Sequence, residues 1–271
     1  CGYEPVDTPI MEYGEILLGQ GGDETDKEVY RFQDHGERTV ALRFDLTVPF
    51  ARFVAEHRSA LTMPFKRIQI GDVFRGEKPQ KGRYRQFRQC DLDIVGADHM
   101  AADIDIILSF FRILSALPIP RFRMTLGHRP ILSALIRSQL GLTDSTQENA
   151  ALIAIDKLDK IGPEKVAALL AEKLSVTAAK GAALLEQLAA TQTVTGLSEV
   201  LQGLDETVLV PAERERFLAT VNCLQERTER SERGEIVADL SIARGLGYYT
   251  GMVFETTLID RPEFGSVSSG G

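Results

Sequence analysis

The middle of this chain decides what the rest of it can be. Residues 128–231 are rich in Ala, Leu, Glu and Lys and carry almost no strand signal, whereas the text before and after them reads as strands. Helices are expected over 147–161, 163–174, 177–190 and 212–230. Gly162 stops one of them, and Pro163 opens the next at a first position where a missing N–H costs nothing. Strands return at 235–242 and 252–259. These late strands need a sheet to join, and a helical middle offers none. The expectation is a strand-bearing domain made from 1–127 and 232–271, with 128–231 inserted as an all-helical module.

Within the first segment, residues 29–46 read as a hairpin, with alternation from Val40 to Phe44 and a turn at Asp34, His35 and Gly36. Thr47 can cap a helix that sets Phe50, Phe53 and Val54 on one face. A second strand pair is expected at 65–70 and 86–95, around a loop carrying Gly76, Pro79 and Gly82. After Asp98, Ile104, Ile107, Leu108, Phe111 and Leu114 form a helical stripe, and Phe122, Met124 and Leu126 alternate as a strand. Hairpin-joined strands with helices outside strict βαβ alternation argue an α+β fold, an antiparallel sheet flanked by helices, over a doubly wound parallel sheet.

Composition narrows the partners. Thirty-nine acids against 31 bases give a net charge of −8, which excludes a wholly basic nucleic-acid binder and requires any polyanion to meet a local basic patch. The longest apolar run, 106–117, is broken by Arg112, so no membrane span is expected. Cys1, Cys90 and Cys223 match no zinc spacing and are too few for a disulfide framework, which suits the reducing cytoplasm. The four histidines form no metal-ligand cluster, and no protein-held metal is expected. The chain opens on Cys1 rather than Met and ends at Gly271 without a terminating element, and it reads as a piece of a longer protein.

The basic patch is at 75–88, where Arg75, Lys78, Lys81, Arg83, Arg85 and Arg88 surround one acid, Glu77, for a local charge of +5. Guanidinium groups aimed at one cavity could hold a triphosphate, since Arg grips phosphate oxygens bidentately. A solvated hairpin with its arginines turned to water has the same composition. Glu77 fits the first reading, because a lone carboxylate there could accept a hydrogen bond from an exocyclic amine such as adenine's. Asp45 and Thr47, where a strand gives way to a helix, could receive an ammonium group; the alternative is that Thr47 simply caps the helix while the Asp45 charge favours its N-terminus. Gln89, Asp91 and Asp93 share one face of a strand, as a pocket wall or the wet side of an edge would. Arg244 precedes Gly245 and Gly247 and the pair Tyr248 and Tyr249, so a bent backbone could deliver Arg244 and a tyrosine to one pocket; core-filling tyrosines are the alternative. The glycines at 19–22 lack a following Lys and Ser or Thr, and read as a loop rather than a phosphate cradle.

Taken together these blocks resemble a known family. GYEPVDTPIME (2–12) is similar to the end of the first signature of class II aminoacyl-tRNA synthetases, with Pro9 at its invariant proline. FRGE (74–77) through RYRQF (83–87) resembles the second signature. LRFDLTVPFAR (42–52), QCDLD (89–93) and ARGLGYYTG (243–251) are similar to elements peculiar to histidyl-tRNA synthetases. The resemblance implies the class II antiparallel sheet, a helical insertion, and an enzyme that joins histidine to the 3′ end of tRNA(His) through a histidyl-adenylate. It implies that Arg75 grips the ATP α-phosphate, Glu77 reads the adenine amine and Arg83 meets the γ-phosphate. Asp45, Thr47 and Gln89 would hold the histidine α-amino group; Asp93 and Tyr249 would grip the imidazole, with Tyr248 beside them. Arg244 would stand near the α-phosphate, and Mg²⁺ would accompany ATP. A homodimer in the whole protein is implied as well. One departure is Gly247, where the family usually carries Asp. The alternative is a non-catalytic paralogue of the same fold, regulatory or tRNA-sensing, which is expected to lose the phosphate arginines or the tyrosine element; this chain keeps both.

Overall fold

In the computed structural model, residues 2–18, 27–78, 82–205, 209–242 and 249–271 are described. The glycine loop at 19–22, Pro79 and Lys81, and the segment from Arg244 to Tyr248 lie outside them. The chain divides into two compact units, Cys1–Ala102 and Asp103–Gly271.

The first unit holds β1 (Glu4–Pro5), β2 (Met11–Tyr13), the single turn α1 (Gly14–Leu17), β3 (Arg31–Gln33), β4 (Thr39–Leu42), α2 (Thr47–His57), β5 (Phe65–Phe74) and β6 (Gln86–Val95). Its strands form two three-stranded sheets, ordered β2-β4-β3 and β1-β5-β6. The expected hairpin is β3 and β4, antiparallel and closed at Asp34, whose N–H donates to the Arg38 carbonyl and whose carboxylate accepts from Gly36 N at 2.8 Å. The expected strand pair is β5 and β6, with β5 running four residues past the expected end. Its register is unbroken from Phe65 opposite Val95 to Phe74 opposite Gln86. Helix α2 packs Phe50 against Phe53 and Phe65, at 6.3 Å between ring centroids in each case. Thr47 is its exposed first residue and does not cap it. The Asp45 carboxylate does that work, accepting from the N–H groups of Thr47 at 3.2 Å and Val48 at 3.1 Å.

The second unit opens with α3 (Met100–Ala116) and β7 (Phe122–His128). Then come α4 (Arg129–Leu140), α5 (Ser145–Ile155), α6 (Leu158–Ile161), α7 (Pro163–Leu174), α8 (Ala178–Ala190), α9 (Val194–Gln202) and α10 (Pro211–Thr228). It closes with β8 (Gly234–Ala238), β9 (Met252–Leu258) and β10 (Ser266–Gly270). The sheet order is β10-β9-β7-β8. Phe122, Met124 and Leu126 are fully buried on one face of it, where Phe111 of α3 meets Phe122 edge-on at 5.1 Å. Pairing is antiparallel except between β7 and β8, which run parallel because a helical excursion separates them. The helix expected over 147–161 breaks into α5 and α6, and its start is fixed by Asp144, whose carboxylate accepts from Thr146 N at 3.1 Å. Thr177 and Thr193 cap α8 and α9 in the same way. Helices α4 and α9 have no counterpart among the helices expected from the sequence.

Candidate functional site

In the first unit, alternation along β5 runs against hydrophobicity. Arg67 and Gln69 are buried, at 0% and 3% exposure, while Ile70 is 63% exposed. The register puts Arg67 opposite Asp93, Gln69 opposite Asp91, Gly71 opposite Gln89 and Val73 opposite Phe87. Since side chains alternate faces, these eight residues share one face of the β5–β6 ribbon, and the candidate residues Gln89 and Asp93 stand on it with Asp91, as the sequence implied.

The acidic end of this face is organised by a residue that sequence reading passed over. Arg67 Nη1 lies 2.9 Å from Asp93 Oδ2, Nη2 donates to the Leu46 carbonyl at 2.7 Å, and the guanidinium sits 4.3 Å over the Phe50 ring. Burial lowers the pKa of Arg67, and the carboxylates of Asp93, Asp91 and Asp45 oppose the shift. Burial raises Asp93, with Arg67 opposing. Asp91 is pushed up to about 6, first by burial and then by the neighbouring Asp93 charge. Three carboxylates therefore share one buried guanidinium, which leaves the pocket negative and suited to a cation. Gln89 Oε1 is buried with no hydrogen-bond partner among the described residues. A buried amide oxygen in that condition calls for a donor.

The other end of the face is basic. Arg75 is wedged between Phe44, 4.3 Å from its ring centroid, and Phe87, at 5.0 Å, and Nε donates to the Phe44 carbonyl at 3.2 Å. Burial lowers its pKa, opposed first by Glu77. Glu77 accepts from Arg83 Nη1 at 3.1 Å and has Arg75 Nη1 at 4.0 Å, so the structure brings Arg75, Glu77 and Arg83 together. The side chains of Arg83 and Arg88 are 63% and 76% exposed, whereas Arg75 is half-buried between its two rings. Arg43, also overlooked, is a clamp. Its Nη1 and Nε donate to the carbonyls of Thr8 at 2.6 Å and Asp72 at 2.7 Å, and a Cβ at Gly71 would come within 2.5 Å of its Nη2, so a side chain at Gly71 would displace this clamp.

In the second unit Tyr249 is half-buried, its ring lying where a Cβ on Gly271 would come within 2.6 Å. Arg244 and Tyr248 fall outside the described residues. Among the described residues no three His, Cys, Asp or Glu gather as a metal site, and no helix is long and apolar enough to cross a membrane.

The fold is of the class II aminoacyl-tRNA synthetase type. The profile of the family described as "Histidyl-tRNA synthetase" matches residues 1–271, and the chain belongs to that family. It is 44% identical over 283 residues to a Histidine--tRNA ligase of Wolinella succinogenes, covering all of this chain but 61% of that protein. It superposes with a TM-score of 0.84 on the crystal structure of histidyl-tRNA synthetase from a Nostoc species, at 31% identity, covering all of this chain and 61% of that one. A Bacillus halodurans structure titled "ATP phosphoribosyltransferase regulatory subunit/histidyl-tRNA synthetase" shares the fold at 21% identity and TM-score 0.79, covering 95% of this chain and 64% of that one. The chain thus spans about three-fifths of the relatives it matches.

Proposed function

We propose that the whole protein is a histidine–tRNA ligase. Histidine attacks the α-phosphorus of ATP through its carboxylate, pyrophosphate leaves, and the histidyl group of the adenylate then passes to the terminal ribose of tRNA(His). The observation that carries this is the polarity of one β-ribbon face: the ring-flanked Arg75 guanidinium at one end, and at the other Asp91 and Asp93, whose charges with that of Asp45 act on Arg67, and an amide oxygen on Gln89 with no partner among the described residues. Gln89 stands opposite Gly71, four residues before Arg75, so an acceptor for an amino group and a guanidinium for a phosphate lie on one short run of the ribbon.

In this reading Asp45, Thr47 and Gln89 hold the α-ammonium, and Asp93 and Tyr249, with Tyr248, hold the ring. Arg75 and Arg244 stabilise charge on the α-phosphate as the pentacoordinate state forms, Glu77 reads the adenine amine, and Arg83 meets the γ-phosphate. Mg²⁺, when bound with ATP, would offset charge on the β- and γ-phosphates, and the phosphates themselves would supply its ligands. No side-chain nucleophile is needed. We assign residues 128–231 as an insertion in a catalytic domain formed by 1–127 and 232–271. The whole protein would be cytoplasmic and homodimeric through the edge at residues 2–12.

The regulatory alternative draws on the fold shared with the Bacillus halodurans structure. Histidine-dependent exchange of pyrophosphate into ATP by the full-length protein, without tRNA, separates the two. Exchange supports the ligase; histidine binding without exchange supports the regulator.

A further inference from the structure

Arg67 touches both ends of the proposed histidine pocket. Asp93, its ion-pair partner at 2.9 Å, is the proposed ring ligand on β6. Leu46, whose carbonyl it binds at 2.7 Å, stands between Asp45 and Thr47, the proposed ammonium ligands at the start of α2. Phe50, one turn into the same helix, supports the guanidinium from below at 4.3 Å. The side chain is fully buried, so its charge is retained inside the protein against a desolvation cost that a surface-facing strand residue would not meet. A purely structural requirement at this place would be met more cheaply by an apolar residue packed on Phe50.

We infer that Arg67 is a positioning residue that fixes the separation between the ring-binding carboxylate and the ammonium-binding helix start, and thereby selects a ligand with histidine's spacing of cationic and ring groups. The inference rests on the proposed function, since it takes the roles of Asp45, Thr47 and Asp93 from there. The two terminal nitrogens of one guanidinium divide the work, Nη1 in an ion pair with Asp93 and Nη2 donating to Leu46 O. A lysine would reach one or the other.

The test uses the full-length protein with Arg67→Lys and Arg67→Met, measuring histidine affinity by calorimetry and the KM for histidine and for ATP in pyrophosphate exchange. Losing one partner of a buried ion pair should raise the histidine KM and Kd of Arg67→Met on the order of 10²-fold, with the ATP KM within about twofold of wild type. Arg67→Lys should fall between. If Arg67→Met does not fold, Arg67→Lys alone decides: wild-type histidine affinity overturns the inference, a selective rise supports it. Histidine and ATP constants that worsen in step would mark general damage and also overturn it. Wild-type protein that binds no histidine would remove the proposed function and the inference together, whereas wild-type binding with unaffected variants removes the inference alone.

Discussion

Arg75 and Phe44 form a stacked pair, the guanidinium carbon 4.3 Å from the ring centroid, and the same guanidinium bonds the carbonyl of the residue it stacks on. The plane of the fork is thereby fixed before any phosphate arrives, and no reorganisation is needed as charge builds. Arg75→Lys keeps the charge but loses the stack and the fork. Pyrophosphate exchange should fall about 10²–10³-fold with a smaller change in histidine affinity. An exchange rate within about threefold of wild type would contradict the assigned role.

Asp93→Ala would do two things, because Asp93 is also the counter-charge of a fully buried guanidinium. It should abolish histidine binding and, by orphaning Arg67, destabilise the fold by about 3 kcal/mol. The double variant Arg67→Met with Asp93→Ala removes both charges and should recover most of that stability without recovering binding. Urea unfolding and calorimetry on the same samples check both statements. Restored binding in the double variant would show that Asp93 is structural only.

The expected pocket residues Gln89 and Asp93 could be read from their spacing along a strand, and the structure has them on one face with Asp91. Arg67 could not. In the stretch from Phe65 to Ile70, hydrophobicity favours turning Ile68 and Ile70 inward and leaving Arg67 and Gln69 to water. The fold does the reverse because Asp93, Leu46 O and Phe50 wait on the inner side for Arg67, and Asp7 and Thr8 for Gln69. Those partners are more than 20 residues away apart from Phe50, which at 17 residues is still beyond any local pattern, so no periodicity could point to them. Similarly, the cap on α2 was legible as a cap but assigned to Thr47 rather than Asp45, since both residue types accept from free N–H groups and only backbone geometry separates them. Where signals are local, as at Gly162 and Pro163, the element began where the sequence said: α7 is Pro163–Leu174.

Asp91 makes the fold sensitive to pH in an uncommon direction. Its folded value of about 6 stands above the ordinary 3.8, so the folded chain holds that proton more tightly than the unfolded one. The stability this contributes is present in full below about pH 4 and is lost as pH rises through 6. The difference between these two values corresponds to at most about 3 kcal/mol. Asp91→Asn keeps the shape without the charge, and should raise the urea midpoint at pH 7.5 while leaving it nearly unchanged at pH 4. Equal effects at both pH values, or no gain at pH 7.5, would contradict the charge crowding around Arg67.

If the proposed ligase uses the helices of residues 128–231 to contact the acceptor arm of tRNA, the sheet dictates how that can be tested. Strands β7 and β8 are parallel, with Phe122 beside Gly234 and Leu126 beside Ala238, so the chain leaving His128 must travel back roughly 20 Å before it can enter β8. Cutting residues 129–231 and joining the ends tightly cannot preserve that pairing. It would also strip the sheet, because Phe122, Met124, Leu126 and Ile236 share one core with Leu132 and Leu135 of α4 and Phe217, Val221 and Leu224 of α10. That deletion is expected not to fold. A cut confined to α5 through α9, with α4 and α10 kept and joined by a Gly/Ser link of about 15 residues spanning roughly 20 Å, leaves the sheet its cover. The shortened full-length protein should retain pyrophosphate exchange and lose most of its tRNA charging. Both activities are to be measured side by side on a variant that circular dichroism shows to be folded; equal loss of the two, or loss of neither, would remove the tRNA contact from these helices.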